Sequence, residues 1–237
     1  MSTPRQYRLA DLPWPALAER AADSVLVVPL GATEQHGPHL PCTVDTEVAS
    51  ELCDRLARAR AGVLVAPAVS YGSSGEHAGF VGTLSVGQEV TELLVVELAR
   101  SADAFAGVLL VCGHGGNAVP LRRAVTRLRT EGRDVRAWAP AGTPTDTHAG
   151  RIETSVMLAL RPAAVGPARP VGDTRPVPEI LDLLRAQGVR AVSPTGVLGD
   201  PRGASAEEGG RTLAAWTAAL VARVEEWWPR PSGQSAQ

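Results

Sequence analysis

Short apolar runs alternating with stretches of helical periodicity constrain this chain more than any other feature of its sequence. Val25–Leu30 (VLVVPL) is continuous rather than alternating and ends at Gly31, as a strand buried on both faces reads. Residues 63–66, 108–112 (VLLVC) and 134–138 supply three further strands. Between them lie helical stripes: Val44, Val48, Leu52 and Leu56 on a helix ending near Gly62, then Val90, Leu94 and Leu98 within residues 88–104, then Leu121, Val125 and Leu128. Residues 152–160, Val177–Gln187 and residues 206–228 complete the helices, the last striped by Leu213, Trp216, Leu220, Val224 and Trp227. Strands alternating with helices predict an α/β fold, a three-layer α/β/α arrangement around a mainly parallel sheet. Ligands of such sheets bind beyond the carboxyl ends of the strands.

At 237 residues the chain fits one large domain, expected over residues 1–228, with a disordered polar tail at 229–237. A formal charge of −2 and the lack of any basic block argue against nucleic acid or an anionic membrane as a partner. No apolar run reaches the ~18 residues of a membrane span, and the polar, proline-broken start carries no signal-peptide core. These features make the cytoplasm the expected compartment. The three cysteines are odd in number and form no C-x-x-C pair, so a disulfide framework is not expected. Cys53 and Cys112 fall in apolar segments and read as buried hydrophobes, whereas Cys42 stands close to the motifs described next.

The five histidines all fall in loops that follow strands. His36 and His39 follow the first, His77 the second, His114 the third and His148 the fourth. In T-E-Q-H-G-P-H, Glu34 and His36 are two residues apart, so an extended backbone sends both side chains to one face. Asp45 stands at the start of the next helix, where a carboxylate also serves the helix dipole. G-H-G-G-N at 113–117 brackets His114 with glycines that permit close backbone approach, a pattern a phosphate loop shares. D-T-H-A-G-R-I-E-T-S at 146–155 places Glu153 in the first turn of a helix, again a common dipole position. Together Glu34, His36, Asp45, His114 and Glu153 offer three carboxylates and two imidazoles. Such mixed donors suit zinc, iron or manganese and leave no thiolate to close a structural zinc site. Five protein donors exceed what one open zinc needs and fit two divalent metals about 3.5–4 Å apart, bridged by a carboxylate and a water.

At these residues the chain strongly resembles the creatininase family of amidohydrolases, from about Val25 to Gly210. The resemblance rests on T-E-Q-H-G-P-H-L-P with Asp45, G-E-H-A-G-F-V-G-T at 75–83, G-H-G-G-N and H-A-G-x-x-E-T-S, all in order. It implies a dinuclear metal site in an α/β/α fold and assembly as a homo-oligomer, such as a hexamer. Glu34, Asp45 and His114 would hold one metal; His36, a bridging Asp45 and Glu153 the other. His148 matches the family's proton-handling histidine. Glu76, His77, Gly115 and Gly116 would form a rim that meets the substrate, and His39 is expected behind the ligands. Creatininase proper carries a metal-binding glutamate where this chain has Gly116, so the resemblance makes Glu153 the missing ligand, as in branches acting on other amides.

Y-G-S-S-G-E-H at 71–77, D-T-H-A-G-x-x-E-T-S and A-V-S-P-T-G-V-L-G-D-P at 191–201 resemble the branch that serves the mycofactocin system. That resemblance implies a peptidase releasing a C-terminal Val-Tyr dipeptide from a modified ribosomal precursor peptide. Creatinine hydrolysis is disfavoured by the scarcity of aromatics for stacking a flat ring. Deformylation of a formylamino-pyrimidine phosphate would draw its phosphate pocket from Arg151, Arg175 and Arg202. A metal-binding scaffold has no use for a spare histidine beside an open metal site.

Overall fold

The computed structural model describes residues 6–229. The expected tail therefore lies, apart from Pro229, outside the described residues. Four strands form one parallel sheet in the order β2-β1-β3-β4: β1 Val25–Leu30, β2 Val63–Val65, β3 Gly107–Cys112 and β4 Val135–Trp138. The helices are α1 Trp14–Ala18, α2 Val44–Ala59, α3 Gly87–Arg100, α4 Ala118–Thr130, α5 Arg151–Leu160, α6 Val177–Gln187, α7 Val189–Val192 and α8 Ala206–Trp227.

The unbroken apolar runs of β1 and β3 are explained by burial on both faces. Val25, Val27, Leu109 and Val111 pack with residues of α2, α5 and α8 on one side. Leu26, Val28, Leu30, Val108 and Leu110 pack with α3 and α4 on the other. A period of two sends successive side chains to opposite layers, and each layer needs an apolar partner. The chain leaves β1 through α2 to β2 on one side, then crosses through α3 to β3 on the other. This reversal of direction between β1 and β3 opens a crevice at their carboxyl ends. Glu34 and His36 emerge into it from β1, and His114 emerges from β3.

One helix faces otherwise than its periodicity predicts. The inward face of α3 is Thr91, Val95, Val96 and Ala99, while Val90 and Leu98 are exposed and Leu94 is half-buried. The small residues Thr91 and Ala99 let α3 lie close to α4, so the bulkier side chains are turned outward. The short α7, the single-turn 3₁₀ segments and α1 carry too few residues to impose a period and were not foreseen. Among the described residues no helix is long and apolar enough to cross a membrane.

Candidate metal centre

The loops after all four strands converge. Glu34, His36, Asp45, His77, His114 and His148 are buried, and Glu153 is partly so. Glu34 Oε1 lies 3.3 Å from His114 Nδ1, 3.5 Å from His77 Nε2 and 3.6 Å from His148 Nδ1. Asp45 reaches both sides: Oδ1 is 3.1 Å from His36 Nε2 and Oδ2 is 3.2 Å from His114 Nδ1. Glu153 Oε2 is 3.8 Å from His36 Nε2. Glu34, Asp45 and His114 therefore form one compact donor group, and His36, His148 and Glu153 another; His77 joins a third with Glu34 and His148.

The outer hydrogen bonds fix which nitrogen of each ring faces inward. His36 Nδ1 donates to the Glu34 carbonyl at 3.2 Å, His114 Nε2 to the Ser73 carbonyl at 2.8 Å, and His148 Nε2 to the Gln35 carbonyl at 2.8 Å. In all three the opposite nitrogen faces the carboxylates, the one that would offer its lone pair to a metal once deprotonated, the arrangement metal-binding imidazoles adopt. His77 is reversed. The Gln35 side-chain oxygen accepts the Gly37 N–H at 2.8 Å, which sets its amide so that Nε2 donates to His77 Nδ1 at 2.9 Å. The inward Nε2 of His77 must then carry the proton, making His77 a donor aimed into the site.

Both carboxylate oxygens of Glu34 and Oδ2 of Asp45 are buried without a hydrogen-bond partner. Such groups are costly unless a cation meets them. Burial disfavours the His36 imidazolium, yet Asp45, Glu153 and Glu34 together raise its pKa to about 10. His114 rises for the same reason, through Asp45 and Glu34 against its burial. Burial pushes the Glu153 carboxyl up to about 7. Burial and neighbouring imidazoles lower His77 to about 3 and hold His148 well below its ordinary value. Without a cation the pocket offsets its carboxylates only by holding protons on His36, His114 and Glu153, protons that a metal ion would replace. A divalent cation fits it.

Local structure explains the placement. Asp146 accepts the Arg151 and Ile152 N–H groups at 2.8 Å each, closing the first turn of α5 and aiming Glu153 back at the site. Ala149, between His148 and Gly150, has a φ of 52°, a left-handed conformation uncommon for alanine. Its N–H donates to Glu153 Oε2 at 2.6 Å. His148 is gripped by backbone pairing with Leu198, with bonds of 3.3 and 2.8 Å. Asn117 ties the end of β1 to the loop after β2, donating to the Gly31 carbonyl and accepting the Ser73 N–H, both at 2.9 Å. At Gly116 any Cβ would overlap the Ser73 carbonyl, the Glu76 carboxylate and the His114 ring. A side chain there is sterically barred.

Every expected ligand is brought into the cluster. His77, expected at the rim, lies in it too, whereas His39 points away and bonds Thr154 Oγ1 at 2.9 Å. Glu76 stands at the edge, its Oε1 3.8 Å from His114 Nε2. Gln35, Asp146 and Leu198 were given no role from the sequence, although each lies within a motif singled out there. The three cysteines are free thiols and join no donor group.

The creatininase family description, creatinine amidohydrolase, matches residues 10–224. The chain belongs to the creatininase family. With the family comes the reaction class, hydrolysis of an amide C–N bond. A mycofactocin precursor peptide peptidase from Mycobacterium tuberculosis is 48% identical over 220 residues, covering 88% of this chain and 87% of the relative. A creatinine amidohydrolase from Pseudomonas putida is 29% identical over 256 residues, covering 93% and 97%. A solved structure of creatininase with manganese superimposes with a TM-score of 0.78 at 27% identity, covering 95% of this chain and all of that one.

Proposed function

We propose that this creatininase-family hydrolase is a peptidase that removes a C-terminal dipeptide, Val-Tyr, from a modified mycofactocin precursor peptide. The observation that carries this reading is a pair of cavities, about 760 and 860 Å³, that share Glu34, His114, Gly115, Thr147 and His148. Each is large enough for a drug-sized ligand (roughly 300–1,000 Å³), so a small ring would leave most of the space empty. A chain extending to both sides of the cluster would fill it. The second cavity is lined by Glu76, His77, Gly116, Leu181, Leu184 and Arg185, apolar walls with a cation suited to a terminal carboxylate. Phosphate recognition has little support, because Arg151, Arg175 and Arg202 are already paired with Glu208, Asp173 and Asp200.

Glu34, Asp45 and His114 would hold one divalent ion, and His36, Asp45 and Glu153 a second, Asp45 serving both. Zinc, iron and manganese all suit these donors. When bound, such ions polarise the scissile carbonyl and acidify water toward neutral pH. His148, neutral at rest, would take at Nδ1 the proton lost by the water that attacks the scissile carbonyl, and hand it to the leaving nitrogen as the C–N bond breaks. His77 Nε2–H would donate to the substrate. We further infer a single catalytic domain over residues 1–228, a cytoplasmic setting and a homo-oligomer such as a hexamer. Assembly is supported by the exposed Tyr71, Val81, Leu84, Val90 and Leu93.

The test is parallel incubation of the metal-loaded protein with the modified precursor peptide, creatinine and a formylamino-pyrimidine phosphate, with products read by mass spectrometry. Release of Val-Tyr from the peptide alone is expected. Turnover of creatinine or the pyrimidine with the peptide left intact would overturn the reading.

A further inference from the structure

β4 closes one side of the sheet and no other strand pairs with it among the described residues. In a parallel ladder alternate residues turn both backbone groups to the same neighbour. Val108 N–H donates to the Asp134 carbonyl at 3.0 Å, and Val108 sits opposite Val135. Asp134, Arg136 and Trp138 therefore face β3, while Val135, Ala137 and Ala139 turn outward. No other described element takes up the outward groups of Ala137 and Ala139. An unprotected edge of this kind is a template for an added strand.

This edge forms the floor of the first cavity, which continues from Glu34 and Asp45 along β4 to Val135. Leu121 and Val125 of α4 wall one side, and Trp216 of α8 the other. Trp216 Nε1 donates to the Ala141 carbonyl at 3.0 Å, which pins the segment after the strand. From Val135 to Ala141 the floor spans about 20 Å at roughly 3.3 Å per residue, too long for a dipeptide. Arg122 and Arg129 of α4 also line it and form no ion pair among the described residues, whereas Arg123 and Arg127 pair with Glu92 and Glu131.

We infer that the groove along β4 is a peptide-binding site that captures the segment preceding the scissile bond as a fifth, parallel strand, with Arg122 and Arg129 recognising acidic side chains in it. The inference rests on the peptidase reading above. Its direction follows from β4, which runs toward the metal centre: a chain cut near its carboxyl end must arrive running the same way. Backbone bonds would supply affinity and the two arginines selectivity, as in other strand-addition complexes.

The experiment uses the metal-loaded full chain and two peptides with the same C-terminus, one extended upstream by a segment with acidic residues and one cut to its last four residues. A copy of the long peptide with a reduced scissile amide reads binding without cleavage. Hydrogen exchange should slow at the Ala137 and Ala139 amides when that copy binds. Ala137→Pro removes only an outward N–H, a change an edge strand tolerates. It should weaken the long peptide at least about three- to tenfold, the value of one hydrogen bond, and leave kcat/KM for the short one unchanged. Arg122→Ala with Arg129→Ala should raise KM for the acidic peptide and flatten its salt dependence, with no effect when its acidic residues are replaced by glutamine. Equal kcat/KM for the long and short peptides, or unaltered exchange at Ala137 and Ala139, overturns the proposal. Should neither peptide be cut, the peptidase reading falls, and the binding and exchange measurements still decide the groove.

Discussion

At Glu153 a helix-end charge and a metal ligand are competing roles, and its surroundings favour the second. A carboxylate serving only the helix dipole gains nothing from burial beside His36, yet here burial raises its pKa to about 7. Glu153→Gln keeps the shape and leaves a weaker neutral donor, so partial loss of metal and a large fall in turnover are expected with folding little changed. A dipole role alone would cost ~0.3–1 kcal/mol of stability and leave metal content normal; elemental analysis and thermal melting on this variant separate the two. His148→Ala should lower turnover ~10²–10⁴-fold and keep its metal, while His114→Ala should lose metal as well. Metal loss from His148→Ala would make His148 a ligand through its inward Nδ1. The proposed ligands were legible because carboxylates and imidazoles stood in the loops after the strands. Gln35 was not, because its importance lies in contacts with His77 and Gly196, 42 and 161 residues away.

Among the elements, α5 shows most directly how local structure aims chemistry. Its first turn is closed by Asp146, and Glu153 points back at the cluster from the same turn. Asp146→Ala frees the Arg151 and Ile152 N–H groups and should cost ~0.5–2 kcal/mol, the range for a lost helix cap. It should also weaken metal binding more than that stability loss explains, since His148, Ala149 and Glu153 share the loop. Chemical denaturation and chelator competition on one sample check both parts; a stability loss with unchanged metal affinity would make Asp146 a cap and nothing more. The strands could be read because burial on both faces leaves an unbroken apolar signature. The inward face of α3 could not, because packing against α4 selects for small Thr91 and Ala99, and periodicity weights size and apolarity. The late segment around Leu198 was visible as a motif, but its job is to pair with the His148 backbone, and pairing partners 50 residues apart leave no local trace.

For the whole molecule, the converging loops concentrate carboxylates whose charge the metal-free fold offsets by binding protons, so stability, metal and pH should be linked. In the metal-free protein Glu153 titrates near 7, above the unfolded value of ~4.3, and His36 near 10, above an unfolded ~6.5. Between those values the folded state holds more protons than the unfolded one. Metal-free stability therefore falls as pH rises, through about 4.3–7 for Glu153 and 6.5–10 for His36. A bound dication expels these protons, so apparent metal affinity should increase with pH. His39 and His77 act oppositely: burial lowers them to about 4 and about 3, and their contribution is lost as pH falls below ~6.5. His39 lies outside the donor groups, and the largest cause of its shift, burial, is the same in the loaded and chelated proteins, so most of its share should cancel between them. The gap in melting temperature between those two forms should thus widen steadily from pH 5 to pH 8. Two divalent ions per chain should be found in the loaded form, and protons should be released on binding when calorimetry is repeated in buffers of different ionisation heat. A gap that stays constant with pH, with no proton release, would show that the buried carboxylates and imidazoles are not where the ions bind.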